Sequence, residues 1–243
     1  MVISWSFLRA FEKCPLQQKL IRIDKVVPEK VDERRFIAGA VGHRFFEIWA
    51  SRGFDDQITP KTVERILYII SKRKYIVWRD KSDYEKVKEK VIKEASMIVE
   101  TVHQHGIDKI NNIQVEKLFF KSLPGNEHSV AGKLDMVVDS GAWLLEMKMS
   151  ADPQWQNPDQ LIFYGLLLGA ILRRYPERLT FFLPVMPNVE DRLIDIEFSK
   201  NDFLAMYDRI KNLIETWNKR DFPPASDPEA CHFCGVKEYC IFI

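Results

Sequence analysis

Nothing in this chain of 243 residues is apolar for long enough to span a bilayer. The uncharged run around Leu161 to Leu172 falls well short of the roughly 20 residues a membrane helix needs. Charge of one sign is also missing, since 36 Lys and Arg meet 35 Asp and Glu and leave a net charge of +1. That balance argues against gripping nucleic acid by bulk positive charge, though it leaves room for a local groove. There is no internal repeat, no low-complexity tract and no G-x4-G-K-[ST] phosphate loop, so neither a solenoid nor a helicase segment is expected. The start, MVISWSFLRAFEK, shows no basic leader followed by an apolar stretch and a small-residue cleavage site, and the expected location is the cytoplasm. Cysteine is scarce, with four in all, every one near an end of the chain. What remains is 46% hydrophobic, 12% aromatic and 29% charged residues, enough for a sizeable core under a soluble surface.

The first half reads as helical. Ser4 or Ser6 can cap a helix through Phe7, Leu8 and Phe11, stopping near Pro15 or continuing through Leu20. A second helix is expected from about Asp32 to Ser51, with Gly53 as its stop. A third opens at Thr59 and Pro60 and carries Val63, Ile66, Leu67 and Ile70 on one face. The fourth, about Ser82 to His105, repeats apolar residues through Val91, Ala95, Ile98 and Val102 and ends at Gly106. Its Lys/Glu-rich face reads as solvated surface. From Asn112 the pattern becomes strands: VEKLFF, a turn at Pro124-Gly125-Asn126, SVAGKLDMVVD, a turn at Ser140-Gly141, then AWLLEMKMS. A helix from about Pro158 to Leu172, two further strands in LTFFLPVMP and RLIDIEF, and a helix from about Asn201 to Arg220 follow. The sum is an α/β chain, a small mixed sheet flanked by helices, with a helical insertion at about 55–106.

The most informative stretch is Gly132-Lys133-Leu134-Asp135, followed eleven residues after Asp135 by Glu146-Met147-Lys148. On adjacent antiparallel strands Asp135 and Glu146 can stand opposite and aim two carboxylates at one point. At 4–5 Å they repel by roughly 3–4 kcal/mol at an effective dielectric near 20, a cost a divalent cation with oxygen preference turns into binding. Mg²⁺ or Mn²⁺ suits that chemistry. Lys148, two residues beyond Glu146, shares its strand face and brings an ammonium to the same place. The same three residues also suit an ordinary edge strand. Against that stands the apolar LLEMK setting, where an unpaired carboxylate is costly. Gln160 and Tyr164 lie one helical turn apart just downstream. His43 follows Gly39 on the second helix, with Glu47 one turn on, and is either a packed residue or a third metal ligand.

Taken in order, G-x3-H (Gly39 to His43), G-x2-D (Gly132 to Asp135), E-x-K (Glu146 to Lys148) and Q-x3-Y (Gln160 to Tyr164) resemble the RecB-like branch of the PD-(D/E)XK nucleases. The resemblance spans most of the chain and implies a restriction-endonuclease-like core. It implies that His43, Asp135, Glu146 and the main-chain carbonyl of Met147 bind Mg or Mn, and that Lys148 serves catalysis. Gln160 and Tyr164 would position DNA or the lysine. The family's Pro before the aspartate is replaced here by Leu134, as is common in the RecB branch.

Cys14 and the tail set Cys231-x2-Cys234-x5-Cys240 read as metal or cluster ligands, because a cytoplasmic chain rarely keeps disulfides. Zinc and a [4Fe-4S] cluster both accept four thiolates; zinc favours two C-x2-C knuckles, and only one is present, which favours the cluster. His232 is a conceivable substitute ligand. The one-plus-three arrangement resembles the iron-sulfur nucleases of the RecB branch, among them the CRISPR-associated RecB-like exonucleases and the nuclease domain of AddB. The expected organisation is therefore a single nuclease domain over 1–243: insertion at about 55–106, core at about 30–54 and 107–220, and cluster-binding elements at 1–20 and 221–243 that join the termini. The resemblance implies a single-stranded DNA exonuclease of 5′ to 3′ polarity, acting in CRISPR adaptation, recombination or viral DNA processing. Its partners would be single-stranded DNA and CRISPR integrase subunits or a recombination factor, with no membrane. Arg9, Lys13, Arg44 and Trp155 are candidate groove residues. Competing readings are a structure-selective endonuclease, a catalytically silent DNA-binding module and a zinc-stabilised structural protein.

Overall fold

The computed structural model describes residues 1–29, 32–55, 59–125, 127–232 and 234–240. Asn126 of the expected turn, and residues 241–243 of the expected cluster-binding tail, lie outside them. The chain starts with a two-residue strand, β1 (Val2–Ile3), that sequence periodicity does not reveal. Ser4 then caps α1 (Trp5–Lys13), its hydroxyl accepting from Phe7 N. Cys14 breaks the helix in an extended conformation and itself caps α2 (Pro15–Arg22), where Pro15 occupies the first turn. A short 3-10 turn at Glu33–Phe36 leads into α3 (Ile37–Ser51). The insertion helices α4 (Pro60–Arg73) and α5 (Lys81–Gln104) follow, the latter capped by Asp80 rather than at Ser82.

Three strands come next: β2 (Gln114–Ser122), β3 (Ser129–Val138) and β4 (Trp143–Met147). Helix α6 (Pro158–Leu172) is apolar on every side, as befits an element packed on the sheet and under other helices. Strands β5 (Arg178–Phe182) and β6 (Leu193–Asp195) precede α7 (Lys200–Lys219), which opens with a Ser199/Asp202 capping box. No helix among the described residues is long and apolar enough to cross a membrane.

The sheet runs β1-β3-β4-β5-β6, with β2 antiparallel along the free side of β3. On its other side β3 pairs first with β1, at Ser129 and Val130, and later with β4, from Met136 to Val138. Between these two partners lies a gap, and Asp135 is its last residue. Two cores sandwich the sheet. Trp5, Phe7, Leu8, Phe163, Phe203 and Met206 fill the side covered by α1, α6 and α7. Val41, Phe45, Trp49, Leu67, Ile98 and Val102 fill the side covered by α3, α4 and α5. The expected insertion is thus part of the second layer, packed on α3.

The gap coincides with a break in strand alternation. Leu134 and Val137 both join the α6-side core, whereas Met136 and Val138 join the other. A regular strand sends residues three apart to opposite faces. The pairing of β2 with β3 keeps its register through this point, Val115 with Met136 and Lys117 with Leu134, so Glu116 stands opposite Asp135. Glu116 has φ +51°, a left-handed conformation that costs a side-chain-bearing residue about 1–2 kcal/mol.

Candidate active site

Residues from both helical layers meet at this irregularity. From α3 comes His43, whose Nδ1 lies 3.1 Å from Glu116 Oε1 and 3.2 Å from Asp135 Oδ1. A Cβ at Gly42 of α3 would come within 2.8 Å of Met149 Sδ, so the Met149 side chain would have to shift. Gly39, the glycine of the sequence motif, has nothing within 4 Å of such a carbon. Asp135 is buried, and its Oδ2 accepts from Met147 N at 2.8 Å, so Met147 meets the site through its amide as well as lying beside it in β4.

Extending the β3–β4 register by one pair sets Glu146 opposite Asp135. Glu146 Oε1 accepts from Lys148 Nζ at 2.9 Å and from Gln160 Nε2 at 2.6 Å. Gln160, on α6, returns its Oε1 to Lys148 Nζ at 2.8 Å, and its amide also donates to Tyr164 OH at 3.3 Å. Lys148 lies just past β4 but keeps the strand's path, since its N–H donates to Phe182 O at 2.8 Å. Tyr164 fits only because residue 132 is glycine: a Cβ there would lie 2.8 Å from Tyr164 Cε1.

Burial and charge set the protonation of this cluster. Burial drives the His43 imidazolium down, yet Asp135 and Glu116 outweigh it and raise its pKa to about 10. Burial also opposes the Asp135 carboxylate, but the His43 charge and the Met147 N–H hold its pKa below the usual carboxylate range. Glu146 goes the other way, lifted to about 8 by burial and then by the neighbouring Asp135 charge, with Lys148 only partly offsetting. Burial and the Glu146 charge push the Tyr164 phenol up.

The residues fit a divalent cation. One ligand atom each from His43, Glu116 and Asp135 lies within 4.8 Å of the others. Glu146 Oε2, buried beside them, has no hydrogen-bond partner among the described residues. An orphaned carboxylate oxygen next to a second carboxylate is costly without a positive charge to share. Imidazole and carboxylate donors suit Mn²⁺ or Mg²⁺.

Glu116 was not among the residues singled out by motif, and neither was Lys133, whose Nζ pairs with Glu116 Oε2. Counting outward symmetrically from Gly125-Asn126 in the sequence pairs Glu116 with Asp135. Of the candidate groove residues, Arg9 is exposed and Trp155 is 47% exposed in a short turn. Arg44 pairs with Glu47 at 2.6 Å. Lys13 lies instead by the cysteines.

All four cysteines carry free thiols and line one cavity of about 590 Å³ between the α1–α2 junction and the C-terminal tail. Gln17 reaches two of them, its backbone N–H 3.4 Å from Cys14 Sγ and its side-chain amide 3.4 Å from Cys234 Sγ. No three of these sulfurs lie within 4.8 Å of one another among the described residues. That is wider than a tetrahedral zinc site, where Zn–S bonds of about 2.3 Å bring sulfurs to about 3.8 Å. His232 is exposed at the rim of the same cavity.

A family model described as PD-(D/E)XK nuclease superfamily matches residues 2–241. The chain belongs to the PD-(D/E)XK nuclease superfamily. Membership in this nuclease superfamily accords with the six-stranded mixed sheet between helical layers and with a site suited to a divalent metal. No curated protein matches the chain. Among solved structures, one titled "Crystal structure of SSO0001" aligns over 99% of this chain and 86% of its own, with 13% identity and a TM-score of 0.43. A likeness at that level carries no argument about activity.

Proposed function

We propose that this PD-(D/E)XK protein is a Mg- or Mn-dependent deoxyribonuclease that degrades single-stranded DNA from an end, in the 5′ to 3′ direction, and carries a [4Fe-4S] cluster on Cys14, Cys231, Cys234 and Cys240. The observation that carries the nuclease reading is the ammonium of Lys148 held between Glu146 and Gln160 beside a buried acid cluster. A divalent cation bound there would supply Lewis-acid stabilisation of the phosphoryl group and a nucleophile from water. The chain's own residues do the rest. His43, Glu116, Asp135 and Glu146 furnish the ligands. Gln160 fixes Lys148 so that its Nζ donates hydrogen bonds where negative charge develops on the phosphate, without reorganising at that moment. Tyr164, packed on Gly132, keeps Gln160 in place.

The cysteine cavity supports a shared ligand set, because thiols from both ends of the chain line it, and the single C-x2-C knuckle favours a cluster over zinc. The cluster would be structural, tying the α1–α2 junction to the tail. The direction of attack and a place in CRISPR adaptation, beside integrase subunits, come from the family resemblance of the motifs.

The test is anaerobic purification with metal analysis, then digestion of end-labelled single strands with Mn²⁺. The reading expects a brown protein absorbing near 400 nm, early release of a 5′ label as short product, and loss of cleavage with retained binding in Lys148→Ala. Internal fragments from branched substrates would replace it with the structure-selective endonuclease. A protein that binds strands and never cuts them is a binding module.

A further inference from the structure

Beside the site, on the half of the sheet beyond α3, strand β2 exposes two large apolar side chains. Phe119 is buried toward α6, so its neighbours Leu118 and Phe120 point to the opposite side, the side from which α3 delivers His43. They are 67% and 54% exposed. Their register partners on β3 are Lys133 and Ala131, and Lys133 in turn pairs with Glu116 of the acid cluster. Phe120 is four strand residues from Glu116, roughly 13 Å, and Leu118 half of that. We propose that Leu118, Phe120 and Lys133 form the track on which a single nucleic-acid strand lies as it enters the acid cluster, its bases on the two apolar side chains and a phosphate on the lysine. This rests on the nuclease reading and names the surface by which that site takes its substrate.

Three observations select this occupant. The exposed residues adjoin the site, since Lys133 pairs with Glu116 and Glu116 with His43. A lysine 57% exposed stands beside Leu118, and its partner Glu116 is one of the candidate cation ligands. A cation held at the cluster would take up the Glu116 charge and leave the Lys133 ammonium for a phosphate. Lastly, Leu118 and Phe120 offer far less than the roughly 800 Å² per partner that a stable protein interface buries, but enough for one or two stacked bases.

The experiment measures binding of a labelled oligothymidylate with Ca²⁺ in place of Mg²⁺, and KM and kcat for degradation with Mn²⁺. Phe120→Ala and Leu118→Ala are exposed and should fold normally. Each is expected to weaken binding about 5- to 100-fold and raise KM similarly with kcat unchanged. Phe120→Trp should bind at least as well as the parent. The salt dependence should stay as steep, because no phosphate contact is lost. A strand of abasic sites should bind the parent as weakly as the intact strand binds Phe120→Ala, and should not discriminate between the two proteins. Unchanged binding and KM in both alanine variants, with the parent cutting normally, would overturn the track and leave the nuclease reading intact. A parent that neither binds nor cuts single strands would overturn both. A parent dimer that Phe120→Ala dissolves in size-exclusion chromatography, at unchanged DNA affinity, would make the face a contact between copies and overturn the track.

Discussion

Glu116 and Asp135 face each other across β2 and β3, and one nitrogen of His43 lies within 3.2 Å of an oxygen of each. Such an arrangement holds two negative charges together with a proton where no cation is present. Glu116 takes its place there at φ +51°, near the start of β2. Glu116→Gln keeps the shape and removes one charge. It should weaken Mn²⁺ binding by about 10- to 100-fold, the range seen when a group holding or orienting a metal ligand is lost. Isothermal titration of the purified protein reads this directly, and an unchanged affinity would mean that Glu116 only orients His43.

The same cluster makes metal binding and stability depend on pH, in opposite ways. His43 titrates near 10 in the folded chain against about 6.5 unfolded, and Glu146 near 8 against about 4.5. Both folded values are raised, so the native state holds protons that the unfolded chain releases. Their stabilising contribution is full below the unfolded values and is lost as pH rises through about 8 and then about 10. Metal-free protein should therefore show a falling Tm from pH 7 to 10. Cation binding must displace these protons, about two near neutral pH, and should tighten across the same interval. Calorimetry in buffers of different ionisation enthalpy counts the protons; a count of zero at pH 7 contradicts the arrangement.

Much of this was readable because it is local. Helix α6 begins at Pro158 and stops before Arg173, where charge and an apolar run meet, and the β3–β4 hairpin follows from its Ser140-Gly141 turn. Asp135, Glu146 and Lys148 stand out because acids in an apolar strand are conspicuous. Glu116 does not, being one more charge in a half-exposed strand; its role depends on register with a neighbour and on an unusual φ. Strand β1 has two residues and no period at all. The close approach of Met149 to Gly42 joins residues more than a hundred positions apart, and no spacing rule reaches that far.

Gly132→Ala tests the packing of the hairpin on α6. The added methyl would sit 2.8 Å from Cε1 of Tyr164, a ring that is buried and tied through its hydroxyl to Gln160. Neither partner can swing away, so the change should cost about 1–3 kcal/mol of stability. It should also lower kcat by disturbing the Gln160 hold on Lys148. Tyr164→Leu offers a smaller neighbour, and in its background the glycine substitution should be nearly neutral, a coupling that denaturant unfolding of the four proteins in the cycle measures.

Cys240→Ser addresses the far end of the molecule. Cys240 is the last of four thiols around one cavity and follows the short turn Lys237–Tyr239, its N–H donating to Lys237 O. If the thiols hold a cluster, that link closes nearly the whole chain into a loop, and such a long-range closure contributes about 2–4 kcal/mol in the usual range for covalent cross-links. For a chain of this size each kcal/mol moves Tm by roughly 2–4 °C. The variant should lose most of its iron and its absorbance near 400 nm, and melt roughly 5–15 °C lower, while metal binding at His43 and Asp135 persists because that site lies in a separate layer of the fold. A colourless parent with one zinc per chain, or a variant with full iron and an unaltered Tm, would remove Cys240 from the ligand set.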